Sequence, residues 1–340
     1  MPQRVLVPGG TGFIGSHVAR ALAAAGHDVM AIGRGARAAP AGVALRAADR
    51  GDADSLAAAL EGERFDATLD FSAYRGAEID ALLAVPRFEP GRYVFASTGQ
   101  VCLVGTAPAM PFREEDAAYP LKPEPPAGTR SHGQWSYGAG KREAEAAIAV
   151  ARERRGLEAV VLRLPVIWGE GDGSLRTWAY LERMLDGGPI LLPDGGAQPV
   201  RFLWVEDVAP AILRVLERWP LAAHVYHLAQ PDIVPLRDVL ERLAKAADRR
   251  PEFVSVTAET LAAAGIGHGP QGLPFFGPWV SVLDPGLAVR DWGFEATPLD
   301  GYLGAVVRAH LERPPRESHP GYAQRGLEIA LAERLKSTSA

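Results

Sequence analysis

The sequence predicts an α/β fold: a doubly wound parallel sheet together with a smaller, mostly C-terminal domain. Three observations predict it. Short apolar runs alternate with Ala-rich helical segments through the first half of the chain, the pattern of βα units on a parallel sheet. A glycine-rich turn, Gly9-Gly10-Thr11-Gly12-Phe13-Ile14-Gly15, joins the first such run to the first helix. Beyond about residue 170 the alternation lapses, and a chain of 340 residues, 47% of them apolar, is long enough for two cores at about 150 residues each.

Taken in order, Val5-Leu6-Val7 reads as a buried strand, and Phe13 to Ala25 as a helix closed by Gly26. Asp28 to Ile32 and Val43 to Ala47 are the second and third strands. A helix follows, capped by Asp52 or Asp54 and ended by Gly62. Asp66 to Phe71 and Arg92 to Ser97 are the fourth and fifth strands, with Thr98 at the tip of the fifth. Residues 105–133 break the pattern with Pro108, Pro111, Pro120, Pro123, Pro125 and Pro126. Such a stretch is expected neither as a helix nor as a central strand, and its length suggests a lid over the site. Ser136 to Arg155 restores helical periodicity up to Gly156, and Glu158 to Pro165 is a further buried strand. The expected domains are 1–169 with 202–229 for the large one and 170–201 with 230–340 for the small one.

Composition removes several classes of function. A net charge of −5 argues against a nucleic-acid groove or an anionic membrane as the main partner, since both demand a basic face. Cys102 is the sole cysteine, so no intrachain disulfide forms, and no Cys/His spacing resembles a metal site. His224 and His227 lie three apart in an expected strand and so face opposite sides. No apolar run reaches the length of a membrane span, and the first strand begins too early for a signal peptide. The cytoplasm is the expected location.

The glycine turn fits two dinucleotide fingerprints: Gly10, Gly12 and Gly15 as G-x-G-x-x-G, or Gly9, Gly12 and Gly15 as G-x-x-G-x-x-G. Both set backbone amides and a positive helix end against a pyrophosphate. At the end of the second strand the acid that would bind a ribose 2′-hydroxyl is replaced by Gly33, with Arg34 beside it and Arg37 close by. A guanidinium there suits a 2′-phosphate, so the expected cofactor is NADP, with NAD still open. Asp49-Arg50 can reach an adenine edge, and Phe71-Ser72-Ala73-Tyr74 sits at a carboxyl strand edge where open sheets bind ligands. Tyr137 and Lys141 lie one helical turn apart. A tyrosine works as an acid or base near neutrality only when a cation stabilises its phenolate, which Lys141 can do. Thr98 can bond the substrate oxygen that gains or loses the proton. His132, Gln134 and Trp168 are expected around a sugar-like substrate.

Four stretches, Gly9 to Gly15, Tyr93 to Thr98, Tyr137-Gly138-Ala139-Gly140-Lys141 and Val200 to Val208, occur in the order and spacing of the extended short-chain dehydrogenase/reductases of the NAD-dependent epimerase/dehydratase family. The chain resembles that family from about residue 4 to 312. Gly33-Arg34-Gly35, Asp49-Arg50 and Asp70 to Tyr74 are most similar to the branch containing chloroplast stem-loop-binding-like proteins. The resemblance implies a Rossmann domain, a tightly held nicotinamide cofactor, Thr98, Tyr137 and Lys141 as the catalytic set, and a homodimer. It also implies that Leu164, Pro165 and Val166 line the nicotinamide. Family 4,6-dehydratases carry Asp-Glu after the catalytic threonine; Gly99-Gln100 stands here, which disfavours dehydration. Arg201 matches an arginine that holds a sugar-nucleotide diphosphate, or else pairs with Glu206 or Asp207. A second family arginine is missing from Phe275 to Ser281. The expected activity is hydride transfer at a secondary alcohol or ketone of a sugar or sugar nucleotide, ending in epimerisation or in net oxidation or reduction. The competing reading is a catalytically idle, cofactor-bound protein that binds RNA or senses redox state.

Overall fold

The computed structural model describes residues 2–107, 109–267, 269 and 271–339; Pro108, one of the six prolines above, lies outside the described residues. The chain divides into two units. The first comprises Met1–Pro165, Val205–Ala229 and Leu283–Ala296, and the second Val166–Trp204, Gln230–Val282 and Thr297–Ala340.

In the first unit the apolar runs become the strands β1 (Arg4–Pro8), β2 (Asp28–Gly33), β3 (Val43–Ala47), β4 (Ala67–Asp70), β5 (Arg92–Thr98) and β6 (Ala159–Leu164). With Val225–His227 added beside β6, they form one sheet in the order Val225–His227, β6, β5, β4, β1, β2, β3. Every neighbouring pair is parallel. Helices on both faces bury the sheet, which is why Val5, Leu6, Val7, Leu69 and Phe95 are each 0% exposed. The strand order reverses between β1 and β4, so their carboxyl ends, Pro8-Gly9 and Asp70-Phe71, open the crevice where such sheets receive ligands. The helices that frame this edge are α1 (Phe13–Ala24), α2 (Ala53–Leu60), α3 (Gly76–Leu83), the short α4 (Gln100–Leu103) and the long α5 (Arg130–Arg155).

Helix α5 starts at Arg130, six residues before the expected Ser136. The run of prolines ends at Pro126, and the Thr129 side chain then accepts from the amide of His132, so the helix begins as soon as a cap is available. The proline-rich segment is otherwise irregular, with one 3₁₀ turn at Glu114–Ala118. Leu283–Ala296 packs with the first unit, although the sequence places it in the small domain: Asp284 donates its amide to Phe112, and Tyr226 donates to Asp291.

The second unit has no large sheet among its described residues. Phe202–Trp204 pairs parallel with Val166–Trp168, Phe253–Val256 with Ile190–Pro193, and Pro199–Val200 runs antiparallel to Val234–Pro235. Phe202–Trp204 therefore belongs here and not to the large domain. Aromatic packing fills the core: Trp168 stacks on Phe202 at 4.2 Å between centroids, and Trp204 on Tyr302 at 5.8 Å. No described helix is long and apolar enough to cross a membrane.

Candidate active site

The glycine turn at the end of β1 is dictated by space. Gly9 has φ +82°, a conformation most side chains avoid. A Cβ on Gly15 would stand 2.2 Å from the Gly9 carbonyl oxygen, so only glycine lets α1 begin this close to the strand. Helix α1 opens at Gly12 with neither a side-chain cap nor an acidic residue in its first turn. Its positive end thus has no cap or acid of its own, an arrangement that fits a dinucleotide pyrophosphate. Thr11, Phe13 and Ile14 complete the turn. At the end of β2, a Cβ on Gly33 would lie 3.0 Å from the Thr11 hydroxyl, and Arg34 and Arg37 are exposed.

The neighbouring edge is held by a polar network that the sequence reading missed. Arg50 grips Asp70 with both terminal nitrogens, at 2.8 and 2.6 Å, and reaches Ser72 Oγ at 2.9 Å. Asp70 is 0% exposed; it also accepts from the Tyr93 hydroxyl at 2.5 Å and from the amides of Ser72 and Ala73. Burial works against the Asp70 carboxylate, yet Arg50 and these hydrogen bonds hold its pKa below the usual range. Arg50, expected at an adenine edge, is turned inward as the pin of the 71–75 loop. Asp49 stays exposed and accepts from the Gly51 amide. The signal was an acid and a tyrosine, Asp70 and Tyr93, each fully buried on neighbouring strands of the sheet.

Tyr137 and Lys141 project from α5 beside the tip of β5. Lys141 is buried, donates to the Ala96 carbonyl at 2.8 Å, and lies 4.5 Å from the Phe95 ring centroid. Burial lowers its pKa to about 8, against the pull of Asp70 and Glu145. The Tyr74 ring, half exposed, sits 5.9 Å from that of Tyr137. Thr98 accepts from the Gln100 amide at 3.3 Å, which leaves its own proton unspent on that bond. Leu164 pairs with Thr98 across the sheet and Pro165 follows it, while Val166 falls in the second unit. Next to Thr98, Ser97 donates to Glu145, whose carboxylate is gripped by Arg163 at 3.0 and 2.7 Å.

The structure gathers the glycine turn, the 71–74 loop, Thr98, Tyr137 and Lys141 in the first unit. His132 lies on the first turn of α5, 3.0 Å from Glu124, with Gln134 two residues on. Two proposed substrate residues, Trp168 and Arg201, belong to the second unit. Trp168 is 0% exposed within the aromatic core. Arg201 donates at 2.7 Å to the carbonyls of Gln230 and Pro231.

Comparison with known proteins agrees with this fold. The model of the NAD dependent epimerase/dehydratase family matches residues 5–229. The 2′-dehydrokanamycin reductase of Streptomyces kanamyceticus is 30% identical over 293 residues, covering 84% of this chain and 78% of that protein. The UDP-glucose 4-epimerase of Azospirillum brasilense is 33% identical over 259 residues, 70% of this chain and 64% of the epimerase. The chloroplast stem-loop binding protein of 41 kDa b of Arabidopsis thaliana is 26% identical over 261 residues, 72% of this chain and 63% of its own length. Among solved structures, the UDP-glucose 4-epimerase of Thermotoga maritima with UDP-glucose shares the fold at a TM-score of 0.71 and 18% identity, covering 91% of this chain and 99% of that one.

Proposed function

The chain belongs to the NAD-dependent epimerase/dehydratase family, and from that premise we propose that it moves a hydride between a nicotinamide cofactor and a secondary alcohol or ketone on a sugar or sugar nucleotide, with Tyr137 relaying the proton. The observation that carries this reading is the Tyr137–Lys141 pair on α5, facing the same sheet edge as the glycine turn. When bound, the nicotinamide accepts or returns the hydride. The protein's residues do the rest. Thr98 donates to the substrate oxygen; Tyr137 takes the hydroxyl proton in oxidation and returns it in reduction. Lys141, cationic below about pH 8, lowers the cost of the phenolate. A ketone that stays bound, rotates and takes the hydride back on its opposite face gives epimerisation, and one that leaves gives net oxidation or reduction.

Dehydration has little support, because the two positions after Thr98 carry no acid and the nearby Glu145 is held by Arg163 and Ser97. The sugar class draws on the relatives: one is named a reductase of 2′-dehydrokanamycin and another a UDP-glucose 4-epimerase. The test is nicotinamide absorbance during incubation with keto-sugars, free sugars and sugar nucleotides. Wild type turns over at least one of these, and Tyr137→Phe loses about 10²-fold or more in turnover. Near-normal turnover in that variant refutes the role of Tyr137. A second reading, a cofactor-bound RNA-binding protein, draws on the stem-loop binding relative; it requires specific RNA binding by a chain that turns over none of the panel.

A further inference from the structure

The sequence places Tyr74 only among the ligand-edge residues Phe71 to Tyr74; the structure sets it beside the Tyr137–Lys141 pair. Its ring centroid is 5.2 Å from the Lys141 ammonium and 5.9 Å from the Tyr137 ring. The ammonium therefore meets two aromatic faces, Tyr74 on the open side and the buried Phe95 at 4.5 Å beneath. An ammonium within about 6 Å of a ring centroid is attracted by the negative face of the ring, most strongly where water is excluded. The backbone is arranged to keep Tyr74 there. The Asp70 carboxylate holds the amides of Ser72 and Ala73, and Glu78 accepts from the amides of Tyr74 and Arg75. Arg75 reaches across to Ser136 on α5 at 2.8 Å. Gly140, one residue before Lys141, makes the close seat possible, since a Cβ there would stand 2.5 Å from the Tyr74 carbonyl oxygen. A glycine inside a helix is less favourable than alanine, and here it admits the loop that carries the ring.

We propose that Tyr74 is a positioning residue for the Tyr137–Lys141 pair, its ring holding the Lys141 side chain in its charged form against the tyrosine. Resting on the hydride-transfer reading for its purpose, the inference itself is about the charge on Lys141 and stands or falls without a substrate. Burial favours the neutral amine; Asp70, Glu78 and Glu145 favour the ammonium, and Arg50 opposes it. None of these charges changes when Tyr74 is replaced. Loss of the ring alone removes an attraction felt only by the ammonium, so the Lys141 midpoint falls.

The experiment is a ¹³Cε-lysine NMR titration of the full-length protein. Lys122, Lys141, Lys245 and Lys336 are the lysines of the sequence, so the spectrum is sparse and a Lys141→Met control assigns the signal. In Tyr74→Leu, which leaves an apolar side chain in place of the ring, the Lys141 midpoint is expected about half a pH unit or more below wild type; in Tyr74→Phe, which keeps the ring, it stays. Tyr74 is 52% exposed, and thermal melts confirm that both variants fold. An unchanged or raised midpoint in Tyr74→Leu overturns the proposal, as does an equal fall in Tyr74→Phe, which would assign the effect to the hydroxyl. Failure of the turnover panel with the expected titration would overturn the hydride-transfer reading alone.

Discussion

Arg50 in the first unit and Arg183 in the second each grip one carboxylate with two nitrogens, Asp70 at 2.8 and 2.6 Å and Glu328 at 2.8 and 2.7 Å. Their surroundings differ. Arg183 and Glu328 are both 0% exposed; Arg183 also donates to the carbonyls of Ala179 and Gly321, fastening the helix Arg325–Ser339 to the helix Arg176–Leu185. Arg50 keeps 12% of its side chain exposed, and the carboxylate it holds also accepts from Tyr93 on β5 and from two amides of the loop that carries Tyr74. The same pair is thus a staple in one place and the footing of a site in the other. What separates them is where the leftover hydrogen bonds go.

The staple should be the more costly to break for stability. Glu328→Ala leaves the Arg183 guanidinium buried without its carboxylate, a change that typically costs about 3–5 kcal/mol. Urea unfolding followed by tryptophan fluorescence reads it. Replacing both partners together by methionine should recover much of the loss, because two buried charges are removed at once. A single variant within about 0.5 kcal/mol of wild type would mean that the pair is not the staple it resembles.

Asp70→Asn breaks the footing more gently, as the amide keeps the shape but loses the charge that faces Arg50. A loss of about 2 kcal/mol at neutral pH is expected, and its pH dependence marks it. The folded pKa of Asp70 lies below its unfolded value near 3.9. Its contribution is therefore present above about pH 4 and is lost as the pH falls through the folded value. Wild type should lose stability over that acid range while the asparagine variant, having no carboxylate there to protonate, shows a shallower slope. Parallel slopes would remove Asp70 from the acid response.

The sequence was legible where one residue type answers one local demand. Parallel strands buried on both faces read as apolar runs, and β1, β2, β3, β4, β5 and β6 stand where those runs are. Gly9 and Gly15 mark a turn that no other residue can make, and Tyr137 and Lys141 are tied by helical spacing alone. The Arg50–Asp70–Tyr93 network was not legible, because its members are 20 and 23 residues apart and meet only once β4 and β5 are side by side. In the second unit the strands are two to four residues long, too short for periodicity to register. Its aromatic residues pack as a cluster that no spacing rule describes.

A third arginine extends the contrast outward. Arg34 is exposed at the end of β2, next to a glycine that offers no carboxylate to a ribose hydroxyl. Arg50 and Arg183 find their anions inside the protein; for the exposed Arg34 we propose one on a ligand, the cofactor 2′-phosphate. A charge-assisted contact to a 2′-phosphate contributes about 1.5 to 3 kcal/mol, and solvent exposure sets Arg34 at the lower end, about tenfold in affinity. NADP(H) should therefore bind about tenfold more tightly than NAD(H), and Arg34→Ala should erase that margin while leaving NAD(H) unchanged. Fluorescence titration of both cofactors against both proteins measures it. Raising the ionic strength should shrink the preference in wild type, since the contact is open to screening. Equal affinities in wild type, or a loss of NAD(H) affinity as large as that of NADP(H) in the variant, would show that Arg34 serves the loop and not the phosphate.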